Sequence, residues 1–209
     1  MHVAVRRPEN LYRSAQHVFS AMAVLLLIET LLDHQGAIVA STAFATFAWT
    51  LEITRRRWPA WNAILMRTMG LVAHEHEAYT VNSATWMGTG LVMIAPFFSL
   101  PTCALALVTL GFGDPAAGFV GRRFGRHKLV NNRSLEGTIA YAAVAFAAGV
   151  ATLTIWHPTL GIRGVIAAAV AAVVGALTEL FCRTIDDNFA VPVMVATAVG
   201  LVLQGSVGW

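Results

Sequence analysis

Residues 78–113 read AYTVNSATWMGTGLVMIAPFFSLPTCALALVTLGFG, without one Asp, Glu, Lys or Arg. A helix that crosses a bilayer needs roughly 20 mainly apolar residues. This run therefore holds two such helices, and Pro96 and Pro101 mark the turn between them. Outward from it, further uncharged stretches reach spanning length when a charge near one end is placed at the interface. The pattern predicts seven helices, near 14–33, 36–54, 80–98, 102–121, 135–156, 163–182 and 188–207.

Composition agrees. Of 209 residues, 57% are hydrophobic and 12% charged, against about 25% charged in an average soluble domain. Mean hydropathy is +0.66. A disordered tail, a collagen-like chain, a disulfide-stapled mini-protein and an ordinary cytosolic domain are excluded. The expectation is an all-α, polytopic membrane protein forming one domain over residues 1–209. The first apolar stretch lacks a small-residue cleavage pattern and reads as a retained helix.

Basic residues set the orientation. With the N-terminus in the cytoplasm, Arg163 alone of the 14 Lys and Arg falls on the outer side. The net charge of +3 thus reflects topology and gives no reason to expect a nucleic-acid partner. Cys103 and Cys182 are expected at opposite membrane faces, which excludes a disulfide between them.

The acids follow another rule. Glu29 and Asp33 map to the outer end, whereas Glu52, Glu75, Glu77, Asp114, Glu136, Glu179, Asp186 and Asp187 map to the inner half. Acidic residues contribute little to membrane orientation. A cytoplasmic cluster of carboxylates and basic groups is what a metal–nucleotide site needs.

Three inner segments carry it. The first, 55–79, sets Trp58, Trp61, Leu65, Leu71 and Val72 among polar residues, as in an interfacial helix. It ends on His74, Glu75, His76 and Glu77; histidines two apart do not share a helix face, so a zinc site is not expected. The second, 111–137, places Asp114 seven residues before Gly121, roughly 10 Å deep at about 1.5 Å per residue. A lone carboxylate at that depth costs on the order of 2–3 kcal/mol, so it should face a polar cavity, a cation or a basic partner. Gly113, Ala117, Gly121 and Gly125 recur every four residues, which suits close helix packing and also lets backbone N–H groups approach phosphate oxygens. Arg122, Arg123, Arg126 and Lys128 follow at once, and such side chains bind phosphate as forks or point charges. Ser134 is placed to cap the next helix, with Glu136 in its first turn; the same helix start could face a phosphate, with Glu136 on a metal. The third segment, 179–192, has Glu179 and Arg183 at i, i+4 spacing, suited to a plain ion pair. Asp186, Asp187 and Asn188 follow, where one acid suffices for a cap and two acids plus an Asn offer the hard oxygen ligands Mg²⁺ prefers.

At these residues the chain resembles the CTP-dependent lipid-alcohol kinases: dolichol kinase, phytol kinase and the CTP-using diacylglycerol kinase. The matching positions, in the family's order, are Arg13 with His17, Glu52 near Arg56, Glu77 ahead of Asn82, the run from Gly113 and Asp114 to Gly121, Arg122, Arg123 and Gly125, then Ser134 to Gly137, and Asp186, Asp187 and Asn188 followed by Val191 and Pro192. Arg133 stands where the family usually has Lys, and His74 where it often has Arg. The resemblance implies CTP as phosphoryl donor and a membrane lipid alcohol as acceptor, a polyprenol, phytol or diacylglycerol. It implies that Gly113, Gly121, Arg122, Arg123, Gly125, Arg126, Lys128, Arg133 and Ser134 cradle the nucleoside triphosphate. Asp114, Asp187 and Glu136 become the Mg²⁺ ligands, and Asp114, Asp186, Asp187 and Asn188 the catalytic set.

The alternative is a CDP-lipid synthase of the phosphatidate cytidylyltransferase kind. Those enzymes share a similar Asp, glycine and arginine half but carry a C-terminal signature that this chain lacks. A non-enzymatic transporter would spread charges along a crossing path instead of gathering them at one end. The sequence leaves the oligomeric state open, a homo-oligomer included, and its brevity points to a prokaryotic plasma membrane.

Overall fold

The computed structural model describes residues 11–68, 80–182 and 184–204; side chains are described for these except Leu11 and Arg13. Among the described residues there are eight α-helices: α1 (Leu11–Thr30), α2 (His34–Arg57), α3 (Pro59–Thr68), α4 (Ser83–Ile94), α5 (Leu100–Phe124), α6 (Leu135–Trp156), α7 (Gly161–Phe181) and α8 (Asp187–Leu203). Seven overlap the predicted helix ranges, with α4 shorter than expected. The eighth, α3, lies in the segment read as interfacial, with Trp58 and Ile64 exposed. The rest of that segment, with His74, Glu75, His76 and Glu77, lies outside the described residues.

Local chemistry fixes the boundaries. The Asp33 carboxylate accepts from the Gly36 N–H at 2.7 Å and starts α2. The helix stops at Trp58, whose extended backbone is what a following Pro59 demands. Asn82 caps α4 through the Ala84 N–H at 2.8 Å. Ser99 precedes α5, and Pro101 fits its first turn, where no N–H is needed. Ser134 caps α6 as expected, its Oγ accepting from the Gly137 N–H at 3.2 Å.

Helix α5 forms the centre, packed by α1, α6, α7 and α8, with α4 against α8 and α2 against α4. It is buried without a break from Pro101 to Gly111. A helix apolar all round belongs in the middle of a bundle. The outer helices turn Phe19, Phe47, Ile162 and Leu201 outward, each more than half exposed. Such a surface suits hydrocarbon and not water. Among the described residues, four segments are long and apolar enough to cross a membrane: His34–Arg57, Leu100–Phe124, Leu135–Trp156 and Pro158–Phe181. The chain is thus an all-α membrane protein. At the far end from the acidic cluster, His157 Nε2 lies 3.0 Å from Glu29 Oε2 and ties α6 to α1.

Candidate active site

The connection between α5 and α6 is a small hairpin. Leu129 N–H donates to the Arg133 carbonyl at 2.9 Å, and Leu135 N–H to the His127 carbonyl at 2.9 Å. A single 3-10 turn, Val130–Asn132, closes it. Asn131 and Asn132 take left-handed backbone angles, φ 55° and 59°, which Asn tolerates better than most residues. The Asn131 amide donates to the Leu180 carbonyl at 2.9 Å, pinning the hairpin to the end of α7.

Pinned there, Arg133 reaches two acids from two other helices. Its guanidinium lies 2.7 Å from Glu179 Oε1 on α7 and 3.3 Å from Asp187 Oδ2 on α8. Glu179 was expected to pair locally with Arg183, which lies outside the described residues; the pair observed joins Glu179 to a residue 46 positions earlier. Asp114 on α5 is half-buried and close enough for its charge to act on Glu179 and on the Tyr141 hydroxyl of α6, as does that of Asp187. Arg133 on the hairpin thus joins Glu179 of α7 to Asp187 of α8, with Asp114 of α5 at the same end of the bundle.

Beside them, Asn188 organises the start of α8. It is 5% exposed. Its side-chain amide donates to Asp186 Oδ1 at 2.7 Å and to Asp187 Oδ1 at 3.1 Å. With Nδ2 donating, Oδ1 must accept, so His17 Nε2 at 3.0 Å carries the hydrogen. Asp186 also takes the Asn188 backbone N–H at 3.0 Å and caps the helix. Asp187 thus receives a donor on each oxygen, from Asn188 and from Arg133. His17 appears among the family matches, but the sequence alone gave it no role; its partner lies 171 residues away.

The other expected site residues lie around this centre. Arg122 and Arg123 at the end of α5, and Arg126 and Lys128 just after it, are exposed. The glycines of α5 serve close packing. A Cβ on Gly113 would lie 2.6 Å from the Tyr141 ring, and one on Gly121 would lie 3.0 Å from Ser134 Oγ; Gly125 is filled by the same serine. Ser134 itself is 5% exposed. Glu136 faces His127, at 2.8 Å from its Nδ1. Among the described residues no group of three or more His, Cys, Asp or Glu side chains is gathered as a ready metal cage.

A second cluster joins α2, α3 and the entry to α4. Glu52 is 2% and Arg55 6% exposed. Arg55 grips Glu52 with two nitrogens, at 3.0 and 2.6 Å, and also donates to Asn62 and to the Thr80 carbonyl. Arg56 adds a contact to Glu52 at 2.9 Å. The pairing of Glu52 with the arginines after it is local and was visible in the sequence; its burial was not.

No family model and no solved structure matches the chain. Curated proteins do. It is 30% identical over 177 residues to CTP-dependent diacylglycerol kinase 1 of Saccharomyces cerevisiae, covering 74% of this chain and 60% of that protein. The protein of the same name from Eremothecium gossypii is 30% identical over 169 residues, 70% of this chain and 52% of the relative. That from Schizosaccharomyces pombe is 28% identical over 105 residues, 49% of this chain and 46% of the relative. The chain spans about half to three-fifths of the length of the relatives it matches. These matches bear out the resemblance to the CTP-dependent lipid kinases.

Proposed function

We propose that this relative of the CTP-dependent lipid kinases transfers the γ-phosphate of CTP to the hydroxyl of a membrane lipid alcohol, giving a lipid monophosphate and CDP. The observation that carries the reading is the convergence of Asp114, Glu179, Asp187 and Arg133 from separate stretches of chain. Phosphoryl transfer spreads charge over the equatorial oxygens of a loose transition state, so positioning and cations supply most of the catalysis.

Each group has a part. Arg122, Arg123, Arg126 and Lys128, all exposed, hold the triphosphate. Among the described residues, with Arg133 taken up by Glu179, the carboxylates of Asp114 and Asp187 leave the centre negative. That excess fits Mg²⁺, which in nucleotide sites takes one or two carboxylates and fills its remaining positions with phosphate and water. Asp114 and Asp187 would hold it, with Glu136 a third candidate from across the hairpin. The cation, when bound, neutralises charge on the transferred phosphoryl. Asn188 orients both neighbouring carboxylates, and the proton of the acceptor hydroxyl passes to the Asp186 and Asp187 pair.

Seven helices cross the membrane in this reading, with the N-terminus and the site in the cytoplasm. The basic residues support that arrangement. Between α1, α2, α4 and α5 runs an apolar groove of about 160 Å³, lined by Phe44, Met87 and Leu91 and, toward the end of the bundle opposite the acidic cluster, by Leu32, Ala95 and Cys103. The names of the relatives make diacylglycerol the first acceptor to try, with polyprenol and phytol beside it.

A product assay on the purified protein, with CTP, ATP and each lipid in turn, tests the proposal. CDP plus lipid phosphate is the expected result. Pyrophosphate plus CDP-lipid would assign the synthase reaction, and no nucleotide turnover with any lipid would remove the enzyme.

A further inference from the structure

Arg133, Glu179 and Asp187 form a ladder from the interior to the mouth of the site. The Glu179 side chain is 2% exposed, that of Asp187 29% and that of Arg133 32%. Glu179 therefore lies beneath the other two, out of reach of a nucleotide arriving from the cytoplasm. Its surroundings on α7 are small and apolar: Ala172, Gly175 and Ala176 are buried on the same helix. Gly175 lets the Tyr141 ring pack closely, since a Cβ there would lie 3.0 Å from it. A carboxylate in such a place loses its water, and replacing a buried ion pair by apolar groups is often neutral or stabilising. Packing alone gives no reason for an acid here.

Among the described residues, the ion pair that Glu179 makes is with Arg133. The hairpin touches consecutive residues at the end of α7: Arg133 meets Glu179 at 2.7 Å, and Asn131 meets the Leu180 carbonyl at 2.9 Å. Together they fix where the guanidinium stands, and the guanidinium then meets Asp187 Oδ2 at 3.3 Å. Resting on the kinase reading above, we propose that Glu179 is a positioning residue for phosphoryl transfer, which acts through Arg133 to set the direction and free charge of Asp187. With Glu179 present, the Arg133 charge is shared between two acids, and Asp187 keeps enough of its own to attract a nucleotide-bound cation. With Glu179 neutral, the guanidinium belongs to Asp187 alone, and the site carries one negative charge fewer.

The test compares the full chain, purified in detergent, with Glu179→Gln and Glu179→Asp. Three quantities are read: kcat and KM with CTP and diacylglycerol; the Mg²⁺ concentration for half-maximal rate; and the binding of Mg·CTP by calorimetry without acceptor. For Glu179→Gln, kcat per folded molecule should fall roughly 10–100-fold, the range for removing a group that orients a metal ligand. Half-saturation by Mg²⁺ should rise, Mg·CTP should bind more weakly, and KM for the lipid should stay within about twofold. Glu179→Asp keeps the charge and should recover part of each loss. A merely structural acid would lower thermal stability and yield while leaving the Mg²⁺ dependence and Mg·CTP affinity of folded molecules unchanged, and that result overturns the proposal. If Glu179→Gln does not fold, Glu179→Asp decides alone: an intermediate loss supports positioning, and parental values overturn it. A parent that binds Mg·CTP but makes no lipid phosphate defeats the kinase reading, while the binding comparison still judges Glu179. A parent that does not bind the nucleotide overturns both.

Discussion

At the residue scale, the site is built on groups whose positions are over-determined. Asp187 is held on one oxygen by Asn188 and on the other by Arg133, and Asn188 is in turn fixed by His17. Asp114→Asn and Asp187→Asn should each abolish turnover while the protein still inserts and elutes as a monodisperse species; near-parental rates in both would remove the site assignment. Asn188→Leu keeps the bulk but lets go of both carboxylates, and should lower kcat by roughly 10–100-fold with little change in expression. Gly113 makes a different prediction. A methyl there would meet the Tyr141 ring at 2.6 Å, and that tyrosine is 0% exposed, so it has no space to yield. Gly113→Ala should destabilise by about 1–3 kcal/mol through overpacking, seen as a lower unfolding temperature in detergent.

At the scale of elements, the parts legible in the sequence are those whose causes are local. The bounds predicted for α6 match because Ser134 caps it and an uncharged run follows. The proline turn before α5 is local too. Helix α5 runs longer than expected, because its inner end continues through Gly121 to Phe124 against α6, and charge alone suggested that it should stop sooner. The pairing of Arg133 with Glu179 was illegible for the opposite reason. Nothing local marks a partner across two helices, and the nearer Arg183 offered a plausible i, i+4 alternative. Uniform apolarity also hides which face of each helix is inward. The Glu52 and Arg55 pair shows what an element owes to one buried charge. Glu52→Ala would take from Arg55, 6% exposed, the carboxylate it grips with two nitrogens, and breaking a buried pair in this way costs about 3–5 kcal/mol. It should release α3 and the α4 entry, measured as faster proteolysis in the stretch that follows Arg57.

At the scale of the whole molecule, the membrane explains features that a soluble fold would not tolerate. Outward-facing Phe19, Phe47 and Leu201 sit beside a core that is small and apolar. The orientation is testable without activity. In a variant with Cys103 and Cys182 replaced by Ala, Thr159→Cys should react with a membrane-impermeant maleimide in intact cells. Val130→Cys, on the exposed hairpin, should react only after permeabilisation. The reverse pattern would place the site on the outer face, where neither the basic residues nor a cytoplasmic nucleotide could account for it.

In the proposed reaction, side chains far apart in sequence meet to move a phosphoryl group from CTP onto a lipid. The most direct measurement follows γ-³²P-labelled CTP with diacylglycerol and Mg²⁺ in mixed micelles, for the parent and Asp114→Asn side by side. Label is expected in a lipid monophosphate for the parent, matched by CDP, and in no lipid product for Asp114→Asn. Label released as pyrophosphate, or equal labelling of lipid by both proteins, would contradict it.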